Sequence, residues 1–236
     1  MVSGQSFSFD EDMLIELKDK QIGAEFVLYQ WDSEKNFPYI VKLQKYFHRC
    51  YSFDRMDVRR NSNLRFLPLF YCKKYENIGN QTNIQYKYDV FFVGTAHPKK
   101  YKFINEMSTK LKKVYNKQFI YFFLPSKIVY YYRKIKNPEY KCAKLSDFHF
   151  ESVKSDDMDK LMMESKCVLD SAQAGQQGLT IRVIETLGAK RKLITTNEDV
   201  VNYDFYREEN IYVYDGSDFN YNSPFFTCEY TEIDRE

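Results

Sequence analysis

The sequence lacks an excess of charge of either sign. Its 35 lysines and arginines are balanced by 33 aspartates and glutamates, which gives a net charge of +2. Proteins that bind nucleic acid over a broad surface usually carry a marked excess of basic residues, because their partner is a polyanion. We therefore expect no nucleic-acid partner, and any basic site must be local.

Paired cysteines and long apolar runs are also missing. The five cysteines are odd in number and widely spread, and none forms a C-x-x-C pair. This pattern is typical of a reduced, cytoplasmic protein without a structural zinc site. No apolar run approaches the ~20 residues that cross a bilayer, and the first residues carry no signal-peptide pattern. We expect a cytoplasmic protein that is neither secreted nor membrane-spanning.

One local basic feature is present. The segment Tyr130–Lys134 joins three tyrosines to an arginine and a lysine, and Lys127 and Lys136 flank it. Such a patch could contact a membrane surface or nucleic acid. The alternative is a solvated helix whose lysine stems cover apolar surface. The only membrane contact that we expect is peripheral, at the inner membrane face.

Short apolar runs alternate with amphipathic segments along the chain, and 44% of the residues are apolar. The run 25–31 predicts a strand, 39–47 predicts a helix, and 50–53 and 64–69 predict two further strands. The alternation of strands and helices is typical of an α/β fold.

The best candidate for a linker is the polar stretch 75–86, which is rich in asparagine and has little apolar content. It divides the chain into a predicted domain 1–78 and a second predicted domain 86–236. A strongly apolar strand opens the second domain immediately after the linker.

Two loops that follow strands carry candidate ligand-binding residues. In open α/β sheets, ligands bind beyond the carboxyl ends of the strands. Asp32 directly follows the first apolar strand, and it is either a ligand group or a turn and helix N-cap residue. Gly94 and Thr95 follow the strand 88–93, in a position that faces phosphates in many doubly wound domains. His97 in the same loop would donate to a phosphate or act as a base, unless its role is structural.

The central stretch of the chain predicts a βαβ unit. Cys167–Asp170 predicts a strand, Leu179–Leu187 a helix with one apolar side, and Leu193–Asn197 the next strand. Gly188 is expected to end the helix in the left-handed conformation. The helix should cover a parallel sheet with its apolar side.

A second face of this helix is predicted to carry Gly178, Arg182 and Glu185, at positions i, i+4 and i+7. Glycine lets a ligand approach the backbone, and a helix N-terminus attracts anions. Arg182 would meet phosphate oxygens, and Glu185 would accept hydrogen bonds from ribose hydroxyls. The alternative is an ordinary surface ion pair one turn apart.

The segment Gln177–Gly188, followed by Lys192–Asn197, resembles the donor-binding core of bacterial GT-B glycosyltransferases. The resemblance is to the branch of spore-coat CgeB-like and lipopolysaccharide biosynthesis proteins. Phe91–Thr95 resembles the opening strand and loop of the same domain. Segments 28–33 and 66–71 are similar to pieces of the branch's N-terminal half.

The resemblance implies two Rossmann-like domains with parallel sheets that face each other across a cleft. The N-terminal domain is expected to be incomplete, and the chain to be shortened at both ends. Glu185 would bind the ribose hydroxyls. The residues that the resemblance assigns to the diphosphate are Gly94, Thr95, Gly178, Thr180 and Arg182. Such enzymes need no metal and no cofactor beyond the donor substrate, because helix dipoles and basic side chains stabilise the departing nucleotide diphosphate.

The function that follows is transfer of a sugar from a nucleotide-sugar donor to a surface-polysaccharide or lipopolysaccharide acceptor. The partners would be the nucleotide sugar and a glycan or glycolipid. An inverting enzyme needs a base, for which Asp32 and His97 are the candidates. Two alternatives remain open: a non-catalytic nucleotide-sugar-binding protein and a GT-B-type sugar-nucleotide epimerase.

Overall fold

The computed structural model describes residues 2–3, 10–171 and 178–234. The chain divides into two compact units. The N-terminal unit comprises Met1–Phe70 together with Ala174–Thr180. The C-terminal unit comprises Tyr71–Gln173 and Ile181–Glu236.

The N-terminal unit is built on a parallel four-stranded sheet in the order β1-β2-β3-β4. Its strands are β1 (Val2–Ser3), β2 (Val27–Gln30), β3 (Arg49–Ser52) and β4 (Leu64–Phe66), and its helices are α1 (Glu11–Lys20), α2 (Ile40–Leu43) and α3 (Arg55–Arg60). Strands and helices alternate as the sequence predicts. A short 3-10 turn, Gln44–Tyr46, follows α2.

Apolar side chains from both layers form the core of this unit. The buried members are Leu14, Leu28, Phe37, Ile40, Leu43, Cys50 and Leu64. Each large aliphatic or aromatic side chain contributes roughly 1.5–3 kcal/mol when it is fully removed from water. Asp10 and Asp54 start α1 and α3, since their carboxylates accept hydrogen bonds from the backbone N–H groups of Met13 and Met56, each at 2.8 Å.

The C-terminal unit contains a parallel six-stranded sheet in the order β10-β9-β8-β5-β6-β7. The strands are β5 (Tyr88–Thr95), β6 (Gln118–Phe123), β7 (Phe148–His149), β8 (Ser165–Asp170), β9 (Lys192–Thr195) and β10 (Ile211–Val213). The helices are α4 (Lys73–Gly79), α5 (Pro98–Leu111), α6 (Lys127–Lys136), α7 (Ser155–Glu164), α8 (Ile181–Gly188) and α9 (Pro224–Thr227).

The strand order of this sheet reverses between β5 and β8. From β5 the chain moves outward through β6 and β7, and it later returns to the other side of β5 through β8, β9 and β10. The central strands are buried on both faces, and α5 covers one face with Tyr101, Ile104, Met107 and Leu111. In doubly wound sheets such a reversal opens a crevice at the carboxyl ends of the two strands.

Helix α4 occupies part of the segment that the sequence predicts as a linker. Tyr75 and Ile78 are buried, and Lys74 forms an ion pair with Asp159 on α7 at 2.7 Å. The helix therefore belongs to the C-terminal unit, and the compact units divide between Phe70 and Tyr71. The residues around Tyr75 and Ile78 are polar, so no apolar pattern in the sequence predicts that these two side chains are buried. Whether domains 1–78 and 86–236 fold independently stays a prediction.

The expectation that Gly188 ends α8 in the left-handed conformation is wrong. The left-handed residue is Lys190, with φ of 51°. The Lys190 N–H donates to the Leu187 carbonyl and the Arg191 N–H to the Thr186 carbonyl, both at 3.0 Å, which is a Schellman ending. Gly188 is required for another reason: a Cβ there would lie 2.6 Å from the ring of Tyr71.

Candidate functional site

The carboxyl ends of β5 and β8 lie side by side at the point where the strand order reverses. Phe91 pairs with Val168, so the last residues of both strands, Thr95 and Asp170, reach the same edge of the sheet. Helices α5 and α8 follow these two strands and begin at this edge. The edge is therefore the candidate ligand-binding site of the C-terminal unit.

The loop between β5 and α5 is held in place by side chains from the following helical segments. The Ala96 carbonyl accepts hydrogen bonds from the Arg133 guanidinium and the Tyr140 hydroxyl. At Gly94, a Cβ would lie 2.8 Å from the ring of Phe92, so only glycine fits without movement of that ring. The predicted phosphate-facing loop is thus a fixed element of the edge.

His97 lies in this loop and is the N-cap residue of α5. Its side chain is exposed, yet partial desolvation and the positive charges of Arg133 and Lys100 lower the pKa of the imidazole. The ring is therefore neutral at pH 7. A neutral imidazole can donate one hydrogen bond to a phosphate, and it can also accept a proton, which is the state that the predicted role of His97 as a base requires.

A buried polar network closes the same edge on the other side of β8. The Thr195 hydroxyl donates to the Asp170 carboxylate at 3.1 Å and accepts from the Asn197 backbone N–H at 3.1 Å. Asp170, Thr195 and Asn197 are all buried. The sequence does not predict this network as a site. Asp170 carries the same signal as Asp32, a carboxylate at the end of an apolar strand.

Arg182 and Glu185 form an ion pair on α8, with Nη1 and Oε2 at 2.8 Å. Their side chains are only 24% and 15% exposed, so this is not an ordinary surface pair. The two atoms are close but poorly aligned, and among the residues that the structure describes neither has a hydrogen-bond partner. Buried polar atoms without hydrogen bonds are uncommon and point to a ligand or water.

Tyr75 on α4 faces this ion pair. Burial raises the pKa of its phenol, and the neighbouring Glu185 carboxylate raises that pKa further. The hydroxyl therefore stays protonated and can donate towards the carboxylate. No sequence pattern points to Tyr75 as a site residue, because it lies in the polar segment predicted as a linker.

Three predicted site residues belong to the N-terminal unit. Asp32 follows β2, and burial raises the pKa of its carboxyl. Gly178 packs on Phe53, where a Cβ would lie 2.5 Å from the ring, and its N–H donates to the Asp54 carboxylate at 3.1 Å. Thr180 is half-buried.

The prediction that Gly178, Arg182 and Glu185 share one helical face is therefore wrong for Gly178. Helix α8 begins at Ile181, so Gly178 precedes it and does not share its periodicity. Ile181, expected on the apolar side, is 40% exposed. Gln177, with which the quoted motif begins, lies outside the described residues.

Within the described ranges 2–3, 10–171 and 178–234, no group of three or more His, Cys, Asp or Glu side chains is arranged to hold a metal ion. None of the helices in those ranges combines the length and apolar character needed to cross a bilayer.

No protein-family model and no curated protein matches the sequence. Among the solved structures that share the fold are two in complex with UDP. An alpha-glucosyltransferase in complex with UDP and a 13-mer DNA containing a central A:G mismatch has a TM-score of 0.53 at 14% identity, over 89% of this chain and 60% of that one. Anabaena Alr3699/HepE in complex with UDP and glucose has a TM-score of 0.52 at 11% identity, over 87% and 62%.

The chain thus spans about three-fifths of the length of both neighbours. At such identities the likeness concerns the fold. The fold is α/β and GT-B-like, with two Rossmann-like units that each contain a parallel sheet. This confirms the fold class predicted from the sequence.

Proposed function

We propose that this chain is a glycosyltransferase that takes a sugar from a nucleotide-sugar donor. The observation that carries the proposal is the Arg182–Glu185 pair, which is largely buried on α8, the helix after β8. Among the described residues, neither the donor atom Arg182 Nη1 nor the acceptor atom Glu185 Oε2 has a hydrogen-bond partner. A nucleoside diphosphate supplies both complements, hydroxyl donors on the ribose and acceptor oxygens on the phosphates.

Glu185 is the proposed ribose-binding residue. A carboxylate can accept hydrogen bonds from two vicinal hydroxyls, and burial makes those bonds matter more than they would in water. Tyr75, whose pKa is raised by burial and by Glu185, remains a neutral donor that can orient the carboxylate. We therefore assign Tyr75 a positioning role.

The diphosphate is assigned to Arg182 and to the loop Gly94–Thr95. Arginine has five N–H donors, so Arg182 can keep its contact with Glu185 and still donate to phosphate oxygens. Thr180 directly precedes the first residue of α8, where N-terminal amides favour an anion. The Gly178 amide already donates to Asp54, and we assign Gly178 a packing role.

Transfer breaks the bond between the anomeric carbon and the diphosphate oxygen and forms a bond from that carbon to an acceptor hydroxyl. Positive charge at Arg182 and the N-terminus of α8 would stabilise the departing diphosphate. An inverting reaction also needs a base for the hydroxyl proton. His97, neutral at pH 7, and Asp32, whose pKa is raised by burial, are the proposed candidates.

For the acceptor we propose a surface polysaccharide or lipopolysaccharide, as in the CgeB-like and lipopolysaccharide biosynthesis branch that the motif Gln177–Gly188 resembles. The proposed place of action is the cytoplasm, with access to the inner membrane face. These assignments rest on the resemblance of the motif.

The experiment is a panel of UDP-, GDP-, ADP- and CMP-sugars tested on the whole chain by thermal shift and by release of the free nucleotide. One nucleotide class should raise the melting temperature and be hydrolysed slowly without acceptor. Ligand at about 100 times its Kd stabilises the folded state by about 2.7 kcal/mol, which gives a clear shift.

Glu185→Gln should abolish the shift, whereas Glu106→Gln, which alters a half-exposed glutamate ion-paired to Lys102 on α5, should leave it unchanged. A shift without any release, even with a range of glycan acceptors, would refute transfer and support a nucleotide-sugar-binding protein. No shift with any donor would refute both.

A further inference from the structure

Helix α6 packs onto the C-terminal unit through Val129 and Tyr130. Its only fully buried side chain is Tyr130, which lies against Phe148 and donates to the Ala143 carbonyl at 3.0 Å. The opposite side carries the α6 outer face, formed by Ile128, Tyr131, Tyr132 and Ile135, which are 80%, 57%, 63% and 84% exposed. The spacing i, i+3, i+4 and i+7 aligns them in one stripe.

The helix differs from an ordinary surface helix because it carries a second apolar stripe on its exposed side. A helix of a globular protein normally turns its apolar stripe towards the core and its polar residues towards water. Two isoleucines that are more than three-quarters exposed, with two tyrosines between them, form a contiguous apolar patch. Contiguous exposed apolar patches mark interaction surfaces.

The charge of the helix is entirely positive. Its ten residues contain four cations and no carboxylate. Arg133 and Lys134 are held by the carbonyls of Ala96 and Ala143. Lys127 and Lys136 are exposed and flank the α6 outer face. The face therefore combines apolar side chains in the centre with ammonium groups at the margins.

We propose that the α6 outer face docks onto an anionic lipid surface. The isoleucines would enter the boundary between headgroups and acyl chains, the tyrosines would lie at headgroup level, and the lysines would meet anionic headgroups. The helix would lie in the plane of the membrane. This surface is separate from the nucleotide-binding residues, and the inference does not depend on the proposed function.

Charge and side-chain type favour lipid over the other partners. A symmetric contact between two copies would bring the lysines of both α6 helices together, and like charges at an interface are unfavourable. Single-stranded nucleic acid is bound by stacking on aromatic rings, but the two most exposed side chains of the stripe are isoleucines, which cannot stack.

The helix can be altered on this face without loss of the fold. Ser126 caps its N-terminus by accepting from the Val129 N–H at 3.3 Å, and Tyr130, Arg133 and Lys134 hold it from the inner side. None of these residues belongs to the α6 outer face. Polar replacements there should leave the melting temperature unchanged.

The test is co-flotation of the whole chain with vesicles of phosphatidylcholine mixed with phosphatidylglycerol, compared with pure phosphatidylcholine. The chain should bind the mixed vesicles and lose binding as salt is raised. The double variant Ile128→Ser/Ile135→Ser should bind at least about tenfold more weakly. Lys127→Gln/Lys136→Gln should lose about fivefold for each lysine on mixed vesicles only.

Ile22→Ser is the matched control, because Ile22 is 94% exposed but lies in the N-terminal unit. It should bind as the wild type does. Equal binding of the α6 variants and the wild type, or no binding to mixed vesicles at all, would overturn the proposal. Self-association in lipid-free sedimentation equilibrium that Ile128→Ser/Ile135→Ser abolishes would also overturn it, in favour of a contact between copies.

Discussion

Two carboxylates that are largely shielded from water illustrate how strongly the surroundings of a residue determine its properties. Glu185 has a cation within 2.8 Å, whereas Asp57 on α3 is 3% exposed and lies close to two other acidic residues, Asp54 and Glu34. One carboxylate is paired, and the other is crowded by like charge. The sequence shows both simply as acids within helices.

Arg182 should bind the diphosphate through the shape of its guanidinium as well as through its charge. Arg182→Lys keeps the charge but loses the planar set of donors. We expect the affinity for the nucleoside diphosphate to fall by about 1–2 kcal/mol, while the affinity for the bare nucleoside stays constant. Calorimetric titration of both ligands measures the difference. Equal losses for both would mean that Arg182 supports the fold of the site instead.

Asp57 should make the protein less stable as the pH rises. Burial, reinforced by Asp54 and Glu34, raises its pKa to about 6, against the lowering effects of the Glu34 backbone N–H and Arg60. A raised carboxyl pKa means that the folded state holds the proton longer than the unfolded chain. The free energy of unfolding therefore falls as the pH rises from about 4 to about 6.

Asp57→Asn removes this dependence, because the amide oxygen can still accept from the Glu34 N–H but cannot ionise. We expect the variant to be more stable than the wild type by roughly 1–2 kcal/mol at pH 7 and similar to it below about pH 4. Urea unfolding across this range is the measurement. A variant that is less stable than the wild type at pH 7 would show that the ionised carboxylate stabilises the fold.

At the scale of elements, α8 shows why the end of a helix is hard to locate. Gly188 fits the usual helix-stop signal, but its lack of a side chain serves the packing of Tyr71, a residue more than a hundred positions earlier. The left-handed turn falls on Lys190 instead. Local pattern predicts the helix, while tertiary packing decides what each glycine does.

Lys190→Gly should stabilise the protein. A left-handed conformation costs a residue with a side chain about 1 kcal/mol relative to glycine. The substitution also removes the ion pair with Glu232 at 2.7 Å, which is worth little because Glu232 is largely exposed. Lys190→Ala is the control, since it removes the ion pair and keeps the strain. Thermal unfolding should rank glycine above alanine; the reverse order would refute a strained Lys190.

At the scale of the whole molecule, the sequence predicts the longer strands and their parallel pairing, but not the two-residue strands β1 and β7. The apolar runs that become β2, β5 and β8 are strong local signals, and the alternation with helices favours parallel sheets. The network of Asp170, Thr195 and Asn197 could not be predicted as a unit, because it depends on the register of β8 against β9. The burial of Tyr75 likewise depends on a helix that packs on α8 from a distant part of the chain.

The predicted site residues are divided by the fold in a way that the sequence does not reveal. Gly94, Thr95, His97, Arg182 and Glu185 belong to the C-terminal unit, whereas Asp32, Gly178 and Thr180 belong to the N-terminal unit. A short sequence separation, such as that between Gly178 and Arg182, does not guarantee membership of one unit. The assignment of ligand roles to these residues stays a prediction.

The central claim is that a nucleotide diphosphate binds at the carboxyl edge of the six-stranded sheet. Hydrogen exchange on the whole chain, with and without saturating UDP or the nucleotide that the donor panel selects, tests it directly. In the wild-type protein we predict that the nucleotide adds protection at 94–97 and 181–186 and adds none at the opposite edge of the sheet. In Glu185→Gln we predict no added protection at either segment. Protection confined instead to the cavity lined by Glu34, Gln44 and Arg60 in the N-terminal unit would contradict the account.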